Sequence, residues 1–180
     1  MIAPPVWTSR AWKLDLPAHL FAPVLERLRG TPARADDLVR SFPGGILSLR
    51  RDGTWSVQEH LGHLVDLAGL DETRAGEFLA RADVLSAADM TNAATENARH
   101  NSAPVWDILQ QLRTTRLALV QRLETFTDAT IEHRSLHPRL GQRMSVVDWM
   151  FFVAEHDDHH LAHARFTAFE LTQSSTKGGS

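Results

Sequence analysis

Four histidines lie close together near the carboxyl end of this 180-residue chain. They are His156, His159, His160 and His163. On a helix, His156 and His160 lie one turn apart on one face, which they share with apolar residues such as Trp149 and Val153. A pair of histidines at this spacing is a common chelating unit for a divalent metal ion. We therefore predict that His156 and His160 bind one metal ion.

A buried histidine pair without a metal is the alternative. A lone histidine on an apolar face is usually a core residue held by a hydrogen bond. Two histidines among aromatic side chains are harder to bury, because each ring nitrogen then needs its own partner. A third ligand must come from another segment, where Glu59, His60 and His63 are the candidates. The helical wheel does not decide among them, since His60 lies within an apolar arc, His63 lies near its edge and Glu59 has a helix-cap position.

The composition excludes several kinds of site. The chain has no cysteine, which excludes disulfides, thiolate metal sites and a cysteine nucleophile. Its net charge of -3 argues against nucleic acid as a partner, because such a surface is normally basic. The longest apolar stretch, residues 149–154, is too short to cross a bilayer, so no membrane partner is expected. The amino terminus lacks the pattern of a signal peptide, and we expect a cytoplasmic protein.

Helical periodicity predicts the elements that position the histidines. Apolar residues at helical spacing predict a first helix at about 17–29 and a short helix at about 32–41. A second long helix, at about 56–81, begins with the capping-box pair Ser56 and Glu59. This helix carries the three candidates for a third ligand.

Two further long helices follow. The third, at about 101–126, has a face that we predict to be solvated because it carries several arginines. These are Arg113, Arg116 and Arg122. Residues 132–143 break the helical pattern and predict a turn or small hairpin. The fourth helix, at about 146–171, begins with a second capping-box pair, Ser145 and Asp148.

These elements predict an all-α fold. We expect a four-helix bundle with a crossover connection and a short irregular or hairpin segment before the last long helix. Residues 1–15 are interpreted as an N-terminal extension, 16–172 as the bundle and 173–180 as a disordered polar tail. Exposed apolar residues on the first or third helix could pair two copies as a homodimer.

Two short motifs resemble a known family. One is Trp-Ser-Val-Gln-Glu-His-Leu-Gly-His-Leu at residues 55–64, in which His63 follows the tryptophan by eight positions. The other is the His156-x-x-x-His160 pair in the last helix. Their order and spacing, over about residues 16–171, resemble the DinB/YfiT-like family of four-helix-bundle metalloproteins.

The resemblance implies a ligand set that the helical wheel leaves open. It places His63, His156 and His160 around one divalent ion, with zinc expected first and nickel second, and leaves other positions open to water. By the same resemblance, His163 supports the ligands without binding the ion. His60 is then interpreted as a helix histidine packed beside Leu64.

The family likeness also implies a range of chemistry. Members include transferases and isomerases that use low-molecular-weight thiols such as bacillithiol or mycothiol, and others are described as metal-dependent hydrolases. We expect a metal-dependent transferase acting on a small electrophile, or a hydrolase. A missing cysteine is compatible with a nucleophile supplied by the thiol cosubstrate. The alternative is a stress-related bundle in which the ion is only structural.

No catalytic acid or base can be assigned from the sequence. Three acidic residues near the predicted ligands are interpreted as caps, surface charges or hydrogen-bond partners of a histidine. These are Glu59, Glu155 and Asp157. Four polar residues could lie near the mouth of the bundle: Asn97, His100, Arg139 and Arg143. His133 and His137 fall in the irregular segment and are interpreted as loop residues.

Overall fold

The computed structural model describes residues 2–177, with side chains through residue 174. This part of the chain forms eight α-helices and one two-stranded antiparallel sheet. The helices are α1 Phe21–Arg29, α2 Thr31–Arg40, α3 Val57–Asp66, α4 Ala68–Leu79, α5 Ala93–Ala98, α6 Val105–Leu123, α7 Asp128–Ile131 and α8 Val146–Lys177. The strands are β1 Ser135–His137 and β2 Gln142–Met144.

Four long segments make the bundle. Helices α1 and α2 form the first segment, α3 and α4 the second, and α6 and α8 the other two. Helix α3 packs against both α6 and α8, and α1 and α2 also pack against these two helices. The predicted four-helix bundle is therefore confirmed. The second segment differs from the expected single helix, because it divides at Leu67 into α3 and α4.

Both predicted capping boxes are present. The hydroxyl of Ser56 accepts from the backbone N–H of Glu59, whose carboxylate accepts from the backbone N–H of Ser56. Ser145 and Asp148 make the same reciprocal pair at the start of α8. Each box satisfies backbone N–H groups that a helix start leaves unpaired. They determine where the two histidine-bearing helices, α3 and α8, begin.

The segment before α8 is the expected hairpin. Strands β1 and β2 pair Leu136 with Arg143 and are joined by a turn in which Gly141 has a φ of 62°. The N–H of Leu136 also donates to the carbonyl of Asp83 at 2.8 Å. The hairpin is thereby joined to the connection between α4 and α5.

A buried polar layer divides the core into two apolar clusters. One cluster includes Trp149, and the other includes Leu112. Between them, the guanidinium of Arg116 donates to Asp71 at 3.0 Å and to Asp157 at 2.7 Å. All three side chains in this layer are buried. Ion pairs of this kind depend on mutual compensation, because a lone buried charge is strongly destabilising.

This layer corrects two predictions. Arg116 is only 4% exposed, so its interpretation as part of a solvated face was wrong, whereas Arg113 is exposed. The spacing in the sequence could have indicated this burial, because Arg116 follows Leu112 by four positions and so shares its apolar face. Asp157 was interpreted as a cap, a surface charge or a partner of a histidine, and it is none of these. It is fully buried and bonds to Arg116 and to the hydroxyl of Thr31.

The ends of the chain extend the bundle. Helix α8 continues through Lys177, past its expected end near Leu171, so residues 173–177 of the segment expected to be a disordered tail are helical, and residues 178–180 of that segment lie outside the described residues. At the other end, the backbone N–H groups of Asp15 and Leu16 donate to Asp148, which joins the N-terminal segment to the start of α8. Trp106 on α6 is half exposed, and pairing of two copies stays a prediction. None of the described helices is long and apolar enough to cross a membrane.

Candidate metal centre

Three histidines from two helices converge on one point. His63 lies in the last turn of α3, and His156 and His160 lie in the middle of α8, which packs against α3. Each offers a ring nitrogen, and these three atoms lie within 4.8 Å of one another. The structure therefore brings together the three residues that the resemblance implied.

The spacing of the ring nitrogens suits a small divalent ion. Nε2 of His156 and Nε2 of His160 lie 3.1 Å apart. In a tetrahedral site with metal–nitrogen bonds of about 2.0–2.1 Å, two ligand nitrogens lie roughly 3.3 Å apart. Among the described residues, the converging group consists of three imidazoles and contains no carboxylate. Such a set fits zinc or nickel better than magnesium or calcium, which prefer oxygen ligands.

Thr95 on α5 determines which nitrogen His63 presents. The hydroxyl of Thr95 donates to Asp66 at 2.8 Å, so it can only accept from Nδ1–H of His63, which lies 2.9 Å away. With the proton on Nδ1, the lone pair of His63 is on Nε2. A hydrogen bond that fixes the tautomer and the ring orientation is the usual support of a metal-binding histidine.

Asp66 is itself held by a second contact. Nε2 of His100 lies 2.9 Å from the carboxylate of Asp66. The His100 ring packs directly against Gly62, where a Cβ atom would lie only 2.3 Å from the ring carbons. Gly62 therefore makes room for the residue that orients Asp66. His100, which the sequence suggested for the mouth of the bundle, is instead buried against Gly62, and no motif pointed to Thr95.

His60 supports His160 from the side away from the convergence point. Nδ1 of His60 and Nδ1 of His160 lie 3.0 Å apart, so one of them donates to the other. If His160 presents Nε2 to an ion, its Nδ1 carries the proton and His60 accepts it. His60 is thus more than a helix histidine packed beside Leu64, because it bonds directly to a predicted ligand.

Burial keeps the three converging rings neutral. It lowers the pKa of His63 to about 4 and lowers the pKa of His156 and of His160 well below 6.5. The neighbouring imidazoles add to this effect at His156 and His160, because two cations at this distance would repel. Neutral imidazole is the form that binds a metal.

The remaining histidines of α8 lie beside this group. The rings of His159 and His163 are 4.3 Å apart, and Nε2 of His163 lies 3.3 Å from the carbonyl of Pro5. Within the described part of the chain, His163 makes no hydrogen bond to the three converging histidines, and its ring lies 5.7 Å from that of His60. The support of the ligands by His163 that the resemblance implied stays a prediction.

The acidic residues near the histidines have other partners. Glu59 forms the α3 cap and pairs with Arg50 at 2.6 Å, which confirms the cap interpretation. Glu155 pairs with Arg10 and Arg27. Neither carboxylate belongs to the converging group. The chain thus has no assigned acid or base at this site.

The three histidines open into a cavity of about 620 Å³. The N-terminal segment covers part of it, since the ring of Trp7 lies 4.9 Å from that of His156 and 5.2 Å from that of Phe152. The segment interpreted as an N-terminal extension therefore contributes Val6, Trp7 and Thr8 to the cavity wall. Apolar residues line much of the wall: Leu64, Leu67, Leu70, Met90, Phe152 and Val153.

The hairpin and α4 form the far part of this cavity. His137 and Arg139 line it together with Arg74. His137, interpreted as a loop residue, lies in β1, is 2% exposed and packs 5.1 Å from the ring of Phe152. The other residues expected near the mouth lie elsewhere. Asn97 is exposed on α5, and Arg143 is exposed and pairs with Asp83.

Fold and site together define a class, that of four-helix bundles with a three-histidine centre open to a cavity. The model of the DinB superfamily matches residues 27–164, and the chain belongs to this family. It is similar in structure to YfiT from Bacillus subtilis, described as a probable metal-dependent hydrolase with an unusual four-helix bundle topology. That likeness has a TM-score of 0.77 at 19% identity and covers 91% of this chain and 94% of YfiT.

A second solved structure shares the fold. It is a mycothiol-dependent maleylpyruvate isomerase, with a TM-score of 0.65 at 10% identity. The likeness covers 85% of this chain and 63% of the isomerase. Comparison with curated protein sequences gave no match. At these identities the two structures establish the fold alone.

Proposed function

We propose that this protein binds one divalent metal ion through His63, His156 and His160 and transfers a low-molecular-weight thiol to a small electrophile. The observation that carries the proposal is the convergence of three neutral imidazoles at the wall of a 620 Å³ cavity. Zinc is the first candidate and nickel the second. Bacillithiol or mycothiol is the expected class of thiol.

The number of ligands supports a catalytic centre over a structural one. Structural zinc sites are almost always closed by four protein ligands, whereas catalytic sites have three and an open position. The converging group holds three among the described residues. A divalent ion in such a site lowers the pKa of a thiol or of water and polarises an electrophile.

The residues around the centre have separable tasks. Thr95 and His60 orient His63 and His160, so that their lone pairs point to one place. Trp7 and Phe152 cover the cavity beside His156 and restrict access of water. The absence of cysteine from the chain means that the thiol comes from the cosubstrate.

A hydrolase is the second candidate, and the likeness to YfiT favours it. It needs a base to activate water, and no described carboxylate joins the three histidines. A thiol loses its proton more readily than water does, so it depends less on a base. This difference is why the transfer reaction comes first.

The test compares the metal-loaded and chelated proteins. We expect one equivalent of metal by elemental analysis and metal-dependent conjugation of bacillithiol or mycothiol to 1-chloro-2,4-dinitrobenzene, with release of chloride. His156→Ala should lose both properties. His19→Ala, which changes an exposed histidine outside the site, should keep both.

Three results would contradict the proposal. Conjugation that continues at the same rate in His156→Ala would show that the reaction does not depend on the metal site. A loaded protein that loses thermal stability on chelation but turns over neither thiol would instead support the structural role of the ion. Thiol-independent ester hydrolysis by the loaded protein would favour the hydrolase.

A further inference from the structure

The far part of the cavity holds a buried arginine without a carboxylate partner. Arg74 is only 3% exposed, and its Nε and Nη2 donate to the carbonyl of Ser86 at 3.0 and 2.7 Å. Among the described side chains, no carboxylate lies within ion-pairing distance of Arg74. A buried charge is costly unless an opposite charge compensates it. Arg74 therefore has no direct ion-pair partner among the described residues.

Two more donors lie beside Arg74. Arg139 on the hairpin lies 5.8 Å from the ring centre of Phe152 and makes no ion pair among the described residues. Nδ1 of His137 accepts from the backbone N–H of Leu140 at 3.3 Å, so its proton is on Nε2. Nε2 of His137 is buried and has no hydrogen-bond partner within the described part of the chain. Such an unsatisfied donor is unusual and costs free energy until an acceptor reaches it.

The neighbouring acidic groups already have partners. Asp71 is held by Arg116, and Glu77 accepts from the N–H and hydroxyl of Ser86. Asp89, on the cavity wall, accepts from Thr91 and from the backbone of Ala93. Burial is the largest influence on the pKa of Arg74 and lowers it, whereas the attraction of Asp71 and of Glu77 raises it, and repulsion by Arg139 is a smaller lowering cause. Asp71 and Glu77 thus attract Arg74 from a distance, but among the described residues neither forms an ion pair with Arg74 or Arg139.

The cationic corner lies toward the start of α8 from the three histidines, with Arg139 near enough to His156 to contribute to its lowered pKa. Arg74 follows His63 by about three helical turns of chain along α3 and α4. The ring of Phe78, one turn after Arg74, packs 5.4 Å from Trp149, which lies two turns before His156 in α8. The corner is therefore displaced toward the start of α8. Apolar residues, including Leu70 and Val153, line the cavity along with both groups.

We propose that Arg74, Arg139 and His137 form a subsite for the anionic end, carboxylate or phosphate, of an elongated substrate. The apolar middle of this substrate contacts the part of the cavity wall formed by Leu64, Leu67 and Leu70. The other end of the substrate reaches the three histidines. Assignment of this anion to the substrate rests on the proposed function. Guanidinium groups suit this task, because their planar N–H groups match the oxygens of carboxylate and phosphate.

Binding of simple amphiphiles to the metal-free protein tests the subsite directly. The probes for calorimetric titration are octanoate, octyl phosphate and the neutral octanamide. We expect at least one anion to bind ten times or more tightly than octanamide. The preferred anion then distinguishes carboxylate from phosphate as the natural group.

Variants locate the binding. Arg139→Gln changes an exposed side chain and should weaken binding of the preferred anion about tenfold, while the Tm stays unchanged. Arg74→Gln should weaken it at least as much, although its lost bonds to Ser86 can lower the Tm. Arg143→Gln is the matched control, because this arginine lies on the same hairpin outside the cavity. It should bind all three probes like the parent protein.

The outcomes separate this proposal from the proposed function. Equal binding of anions and octanamide, no binding of any probe, or unchanged anion binding in Arg139→Gln would overturn the subsite. Thiol conjugation without anion binding would overturn the proposed subsite and leave the proposed function standing. Anion binding that depends on Arg139 in a protein without metal-dependent turnover would support the subsite and overturn the proposed reaction.

Discussion

Thr95 and His63 are joined by a 2.9 Å hydrogen bond between a hydroxyl oxygen and Nδ1. They come from different helices, α5 and α3, and lie 32 residues apart in the chain. Since the hydroxyl also donates to Asp66, the contact determines the tautomer of His63. The short helix α5 thus controls a side chain at the proposed metal centre.

Removing this hydroxyl should weaken metal binding without unfolding the bundle. In Thr95→Val we expect the affinity for zinc to fall roughly 10–100-fold, the usual effect of losing an outer partner of a metal-binding histidine. Competition with a chromogenic chelator measures the change. Thr114→Val, at an exposed position of α6, is the control and should bind like the parent. Equal affinities in both variants would show that Thr95 does not orient the ligand.

Gly62 should be intolerant of even one methyl group. A Cβ atom at this position would meet the His100 ring at 2.3 Å, and His100 would have to leave Asp66. We expect Gly62→Ala to lower both the Tm and the zinc affinity. Gly69→Ala is a matched control in α4, where a Cβ has no neighbour within 4 Å. It should be neutral or stabilising by about 0.5–1 kcal/mol, because alanine favours a helix.

The buried polar layer should matter to stability. Asp157→Ala leaves Arg116 with a single carboxylate in the core, and we expect a loss of about 3–5 kcal/mol in the free energy of unfolding. Urea denaturation of the metal-free protein measures it. The adjacent change Asp158→Ala breaks contacts with Arg27 and Arg34 at the surface and should cost about 1 kcal/mol or less. Similar losses in both variants would argue against a special role for the layer.

Acid should destabilise the metal-free protein through its several buried histidines, with an opposing contribution from Asp157, whose pKa burial raises to about 6. Burial lowers the pKa of His60 to about 3 and that of His137 to about 4, from 6.5. Below pH 6.5 the unfolded chain therefore binds more protons than the folded chain, so stability is complete above this pH and falls toward pH 4. Each such histidine contributes a slope of about 1.4 kcal/mol per pH unit within this window.

Thermal unfolding between pH 7.5 and 4.5 measures this dependence. His137→Gln should show a shallower fall of Tm with decreasing pH than the parent protein. His19→Gln, at an exposed site, should follow the parent curve. A parent Tm that stays constant down to pH 5 would show that the buried histidines are not held neutral by the fold.

Features that depend on near neighbours were readable from the sequence. The capping boxes at Ser56 and Ser145 and the turn-spaced pair His156 and His160 each involve residues three or four positions apart, which a helix brings together by its own geometry. Apolar periodicity likewise indicated the helices of the bundle. The break at Leu67 was missed, because the apolar stripe through Leu64 and Ala68 continues across it and Gly69 alone does not require a helix end.

The contacts between these helices were decided by the tertiary structure. The helical wheel did not decide whether His60 or His63 is the third candidate ligand. Only the packing of α3 on α8 places His63 in the converging group and His60 behind His160. The burial of Arg116 likewise depends on carboxylates from two other helices. The contacts of Trp7 with the site span about 150 residues of chain. No local pattern encodes such contacts, because they exist only after distant segments have packed together.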